Sequence, residues 1–219
     1  MAFKYVHFKG RNLKRLFHAW HQILVWYETK EKDLPYWYLE RTNVGHLALA
    51  VYQLNGVPIQ EFSVHKGKKS GSSSGRADLY FSLPNGTGTP STFNVEAKQA
   101  WCSNRFTGQS RSVLKNTLKK AVDDCDALKE EAWEADRGMG LIFLIPYAKS
   151  MPDDKTKIGE QQQAFTDGVL EESKKAGANF VAFHYPTKDT LWNISRKYRK
   201  QPWHWCPGIA AIGKLILPH

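Results

Sequence analysis

The hydrophobic period of this chain changes from that of a helix to that of a strand at Asn55-Gly56, and the change restricts the folds open to it. Before it, Leu13, Leu16, Phe17, Trp20, Ile23, Leu24 and Tyr27 recur at three- and four-residue steps, which predicts a helix over 12–27. A polar stretch ending in Pro35 leads to a second expected helix, from Pro35 or Tyr36 to Leu54, with Asn55-Gly56 as its C-cap. After it, 59–64 and 77–83 alternate with period two, and the turn-dense 84–90 joins the latter to 93–98 as a hairpin. Three consecutive strands are therefore expected as neighbours in one sheet. Between the first two, 66–76 is rich in Gly, Ser and Lys and reads as a flexible basic loop.

Helical spacing returns over 112–134, a short apolar run over 141–145 fits a buried strand, and a third helical pattern spans 157–175. Strands are expected at 180–185 and within 209–217. The order is helix, helix, three strands, helix, strand, helix, strand and tail, an α/β arrangement without strict alternation of strand and helix. With 219 residues and no repeat or long linker, the expectation is one domain over 1–219. Its core would cover about 36–147, with an N-terminal helix at 11–30 and a basic-aromatic C-terminal extension at 188–219.

No apolar run approaches the roughly 20 residues of a membrane span, and the first residues lack the pattern of a secretory signal, so the chain reads as cytoplasmic. Cys102, Cys125 and Cys206 are odd in number and far apart, which argues for buried reduced thiols. His204 and Cys206 form a pair at ligand spacing with no second pair to complete a zinc site.

Lys and Arg outnumber Asp and Glu by 31 to 21, a formal net charge of +10 that favours anionic partners such as nucleic acid. From Lys98 to Lys120 the chain carries Lys98, Arg105, Arg111, Lys115, Lys119 and Lys120 and no acid. Arg196, Lys197, Arg199 and Lys200 alternate with Trp192, Tyr198, Trp203 and Trp205, a composition suited to phosphate contact with base stacking, or to an amphipathic helix with core aromatics. The basic loop with Lys68, Lys69 and Arg76 reads either as a segment that reaches over a bound strand or as a flexible solvated linker.

Asp78, Glu96 and Lys98 carry the chemistry. Glu96 and Lys98 share one face of an expected strand, and the hairpin brings Asp78 of the adjacent strand across from Glu96. Two carboxylates so close favour a cation between them, and hard oxygen ligands suit Mg2+ or Mn2+. Acid-x-Lys occurs four times, ending at Lys30, Lys98, Lys155 and Lys174, but only the Glu96 instance lies in a strand that follows an acid-bearing strand. Glu40 heads the helix stripe of Val44, Leu47 and Val51, where a carboxylate is costly unless paired or near a metal; a first-turn acid favoured by the helix dipole is the other reading. For the triad, the other reading is an ion-pair cluster on an exposed sheet face.

This order, an acid-bearing helix, three strands with Asp on the second and Glu-x-Lys on the third, then helix and strand, resembles the core of the PD-(D/E)xK nucleases, the restriction-endonuclease-like fold. The stretch 40–50, with its Glu, glycine and small apolar residues, is also similar to that family's first helix. Arg76-Ala77 stands where the motif's proline would be. The resemblance covers about Glu40 to Tyr147 and implies a mixed β-sheet flanked by helices, with core order α-β-β-β-α-β. It implies that Asp78, Glu96 and the Ala97 backbone carbonyl hold Mg2+, or Mn2+, and that Lys98 positions or activates water and stabilises phosphate charge. Glu40 would act through water or a second metal, and Gln99 and Gln109, which follow closely, would touch the phosphate or the metal-bound water. The expected activity is metal-dependent phosphodiester hydrolysis, as an endonuclease, on DNA ahead of RNA; a homodimer would suit cutting of both strands. The alternatives are an inactive nucleic-acid-binding protein of the same fold and a basic protein-interaction module.

Overall fold

The computed structural model describes residues 3–68, 71–86, 88–128, 135–148, 152, 154, 156–197 and 205–216. Its elements are β1 (Phe3–His7), α1 (Lys14–Glu31), a 3-10 turn (Pro35–Trp37), α2 (Glu40–Gln53), β2 (Val57–Lys68), β3 (Gly71–Leu83) and β4 (Ser91–Ser103). They continue with α3 (Gly108–Asp126), β5 (Arg137–Tyr147), α4 (Thr156–Lys175), β6 (Phe180–His184), α5 (Lys188–Lys197) and β7 (Ile209–Ile216). The strands form one seven-stranded mixed sheet in the order β1-β6-β7-β5-β4-β3-β2. Only β4 and β5 pair in parallel, with α3 as the crossover between them, which parallel neighbours require. The stretch α2-β2-β3-β4-α3-β5 has the expected core order.

Both faces of the sheet are covered, and the central strands alternate between two apolar clusters. Leu141, Phe143 and Ile145 of β5 pack with residues of α1, α2 and α5, whereas Ile142 and Leu144 pack with residues of α3 and α4. This explains why β5, β6 and β7 read as continuous apolar runs.

Helix α2 starts later than expected. Pro35–Trp37 forms a separate 3-10 turn, the chain extends at Leu39, and Glu40 becomes the first helical residue. The C-cap is as read: Asn55 is left-handed at φ 59, its N–H donates to the Tyr52 carbonyl, and the Gly56 N–H donates to the Val51 carbonyl at 3.0 Å.

The basic segment 66–76 is not a loop for most of its length. β2 and β3 stay in register from Ser63↔Arg76 to Lys68↔Gly71. Antiparallel backbone pairing does not depend on side-chain periodicity, so a Gly/Ser-rich run hides a strand from sequence patterning. β1 went unpredicted for a related reason: five residues, four half-buried and one exposed, pair with β6 at the far edge, a contact that no local pattern reveals. The expected helix over 112–134 is α3, which starts earlier and ends at Asp126; 129–134 lie outside the described residues. Part of the tail is the helix α5, and Trp192 and Trp205 pack against the core, so neither is a surface stacking platform. The three cysteines are buried and free, and burial pushes each thiol up to about 12. No helix among the described residues is long and apolar enough to cross a membrane.

Candidate active site

The β3–β4 ladder follows a register that would place Asp78 opposite Glu96, but it ends one step earlier, at Leu79↔Val95. On its other side the β2–β3 ladder pairs Gln60↔Leu79 and Phe62↔Ala77 and skips the position between them. Asp78 is thus where β3 parts from β4 and where its ladder with β2 is interrupted for one position. Ala77 leaves the cluster of Leu79 and Phe81 and packs with Leu128 and Phe62 instead. The backbone groups that β4 would have shared with β3 must find other partners.

Side chains of the expected site supply them. The Ala97 N–H donates to Asp78 Oδ2 at 2.7 Å, and the Gln99 N–H donates to Glu40 Oε2 at 2.8 Å. Lys98 Nζ donates to the Ala97 carbonyl at 3.0 Å and lies 3.6 Å from Glu96 Oε2. Glu96, on the α3 side of the sheet, is only 2% exposed, a depth at which a carboxylate needs a cation beside it. Asp78, Glu96, Lys98 and Glu40 therefore meet at the point where the sheet opens, drawn from two strands and the first turn of α2.

Asp124 joins them, with Oδ2 at 3.2 Å from Lys98 Nζ. Sequence reading passed over it because it follows Asp123 in a helix full of lysines. The available signal was its position one residue before buried Cys125, at the margin of the helix's apolar stripe. Glu61 and Arg41 were also missed; they line a small cleft with Glu40 and Asp78.

Burial pulls the Lys98 ammonium down, but Asp78, Glu96 and Asp124 outweigh it and hold its pKa above the ordinary lysine value. These three carboxylates favour the ammonium form of Lys98. Glu40 is raised, by desolvation first, against the lowering effects of the Gln99 amide and of Lys98.

The donor set fits a hard divalent cation. The Asp78 and Glu96 carboxylates and the Ala97 carbonyl are all oxygen donors, and the Lys98 ammonium already sits within 3.6 Å of two of them, so the pocket is built for positive charge. Among the described residues no three His, Cys, Asp or Glu side chains are grouped to hold a metal ion.

The other expected contacts divide. Gln99 accepts from Asn43 Nδ2 at 2.9 Å and donates to the Tyr38 carbonyl at 2.8 Å, so it ties β4 to the start of α2. Arg105, Arg111, Lys115 and Lys119 are exposed, the last three at four-residue steps on one face of α3. Arg111 leans on Glu171 at 3.8 Å and Lys119 on Asp123, which offsets part of their charge. Arg76 is exposed and paired with Glu61. Lys69, Arg199 and Lys200 lie outside the described residues; Lys68, Arg196 and Lys197 are described by backbone alone. Comparison with protein-family models, curated proteins and solved structures returned no match for this chain.

Proposed function

We propose that this protein is a metal-dependent nuclease of the PD-(D/E)xK kind, with a restriction-endonuclease-like core and DNA as its preferred substrate. The observation that carries the reading is the convergence of Asp78, Glu96, Lys98 and Glu40 where β3 and β4 part, within a helix-strand-strand-strand-helix-strand order. A surface ion-pair cluster does not account for Glu96, which is buried, or for a β3–β4 ladder that ends where Asp78 would face Glu96.

Asp78, Glu96 and the Ala97 carbonyl would hold Mg2+ or Mn2+. The bound ion would polarise the phosphate and lower the pKa of attacking water. Lys98, held protonated, contributes charge for the phosphate oxygens as negative charge builds on them. Asp124 and Glu96 fix its ammonium by ion pairs, so it is oriented before substrate arrives. Glu40 orients β4 through the Gln99 amide and is placed to accept a proton from water.

The test is cleavage of supercoiled plasmid, single-stranded DNA and RNA with Mg2+, Mn2+ or EDTA. We expect metal-dependent nicking by the native chain, lost in Lys98→Ala and Glu96→Ala with circular dichroism unchanged. Folded native protein that cuts none of these substrates with either metal would overturn the reading.

A further inference from the structure

We propose that Arg41 and Arg76 form a phosphate subsite beside Asp78, and that the Glu61 carboxylate occupies it in the free protein. The inference rests on the nuclease reading for the identity of the anion, a phosphodiester flanking the one attacked. Glu61 Oε1 lies 2.8 Å from Arg41 Nε, and Glu61 Oε2 lies 3.0 Å from Arg76 Nη1. One carboxylate thus spans two guanidinium groups with one oxygen on each. The two non-bridging oxygens of a phosphodiester present the same pair of acceptors, and arginine is the side chain suited to them.

Two features mark this as more than a surface ion pair. Glu61 has φ 49, a left-handed backbone that is unfavourable for a residue with a side chain, in the middle of a strand. It also stands at the β2 position that the ladder skips, opposite Asp78, so the distortion and the candidate active site coincide. The side chains of Arg41, Arg76 and Glu61 are 74%, 65% and 37% exposed; pairs so open to water stabilise a fold little, and a stability role does not explain the strained backbone. A cavity of about 20 Å³ bounded by Glu40, Arg41, Val44, Gln60, Glu61 and Asp78 joins Arg41 and Glu61 to two of the candidate acids, and Arg76 reaches its edge through its ion pair with Glu61. Displacing Glu61 would leave two arginines and one fewer negative charge at the edge of that cavity.

The experiment is binding of a short fluorescein-labelled DNA oligonucleotide in EDTA, measured by anisotropy over a series of salt concentrations. Glu61→Gln and Glu61→Gly should each bind on the order of threefold more tightly than the native chain, the equivalent of one exposed ion pair. Glycine accepts the left-handed backbone, so Glu61→Gly keeps the test open if Glu61→Gln folds poorly. Arg41→Ala with Arg76→Ala should weaken binding and lower the salt slope by about two, and Glu61→Gly should give no gain in that background. The proposal is overturned if neither Glu61 variant binds more tightly, if the gain survives loss of both arginines, or if no form binds at low salt. Failure of the nuclease reading shows separately, as absence of metal-dependent cleavage by the native chain, and leaves the binding comparison readable.

Discussion

Buried imidazoles set how this protein meets acid. His46 is 7% exposed, its Nδ1 has no hydrogen-bond partner among the described residues, and burial pulls its pKa down to about 4. His21 is also lowered to about 4, by burial first and then by His184 and His18. In the unfolded chain both groups take up a proton near pH 6.5, and in the folded chain only near 4. Below 6.5 the unfolded state binds more protons, so the stability present above 6.5 declines as pH falls and is lost near 4. Urea midpoints should drop across that window, and His46→Leu should flatten the drop by up to about 3 kcal/mol. A pH profile unchanged by the substitution would contradict this. His21 also belongs to a chain of bonds: its Nδ1 lies 2.7 Å from His184 Nδ1, and His184 Nε2 lies 2.7 Å from Glu28 Oε1. With Glu28 ionised, His184 Nε2 donates to it, and across the other bond one Nδ1 carries the hydrogen while the second accepts it. Nothing local in the sequence pairs Glu28 with a histidine 156 residues away; the acid-x-Lys pattern at Glu28 concealed a buried carboxylate.

At the scale of elements, the contact of α3 with β5 holds the site together, because α3 carries Asp124 and β5 pairs with the strand of Glu96 and Lys98. That contact depends on Gly140, where an added Cβ would meet the backbone N and Cα of Val122 at 2.7 and 2.8 Å. Backbone cannot rotate aside as a side chain can, so helix and sheet must separate. Gly140→Ala should destabilise by about 1–3 kcal/mol, read by denaturant unfolding, and should weaken cleavage by moving Asp124 from Lys98. Full stability in Gly140→Ala would show that the contact yields easily. Most elements were legible in the sequence because their periods were strong: α1, α2 and α4 present apolar faces, and the β3–β4 hairpin turns at Gly86 and Gly88, both left-handed. The strand misses were β1, whose side chains find their partners only in distant α1 and β6, and the outer halves of β2 and β3, where backbone pairing runs on without an apolar pattern.

For the whole molecule, the shared sheet argues against independent units. Phe180 and Ala182 of β6 pack on one face and Val181 and Phe183 on the other, and β5 and β7 divide their residues in the same way. Neither helical layer can leave without exposing the strands that the other layer also covers. Unfolding should therefore be one transition, with tryptophan fluorescence, reporting Trp20 and Trp205, coincident with far-ultraviolet circular dichroism. Separated transitions would mean that the two layers fold apart.

The sequence by itself determined which residues carry the candidate chemistry and which elements bear them: Asp78 and Glu96-x-Lys98 on neighbouring strands and Glu40 on a preceding helix follow from period, turn residues and spacing. Only the tertiary structure decided what surrounds them. The parting of β3 from β4 at Asp78 with a one-position break in its ladder with β2, the ion pairs from Asp124 to Lys98 and from Arg41 and Arg76 to Glu61, and the tie of Gln99 to α2 join residues far apart in the chain. Local periodicity records which face of an element is apolar; it does not record which distant side chain satisfies a backbone group or a buried charge left open when strands diverge.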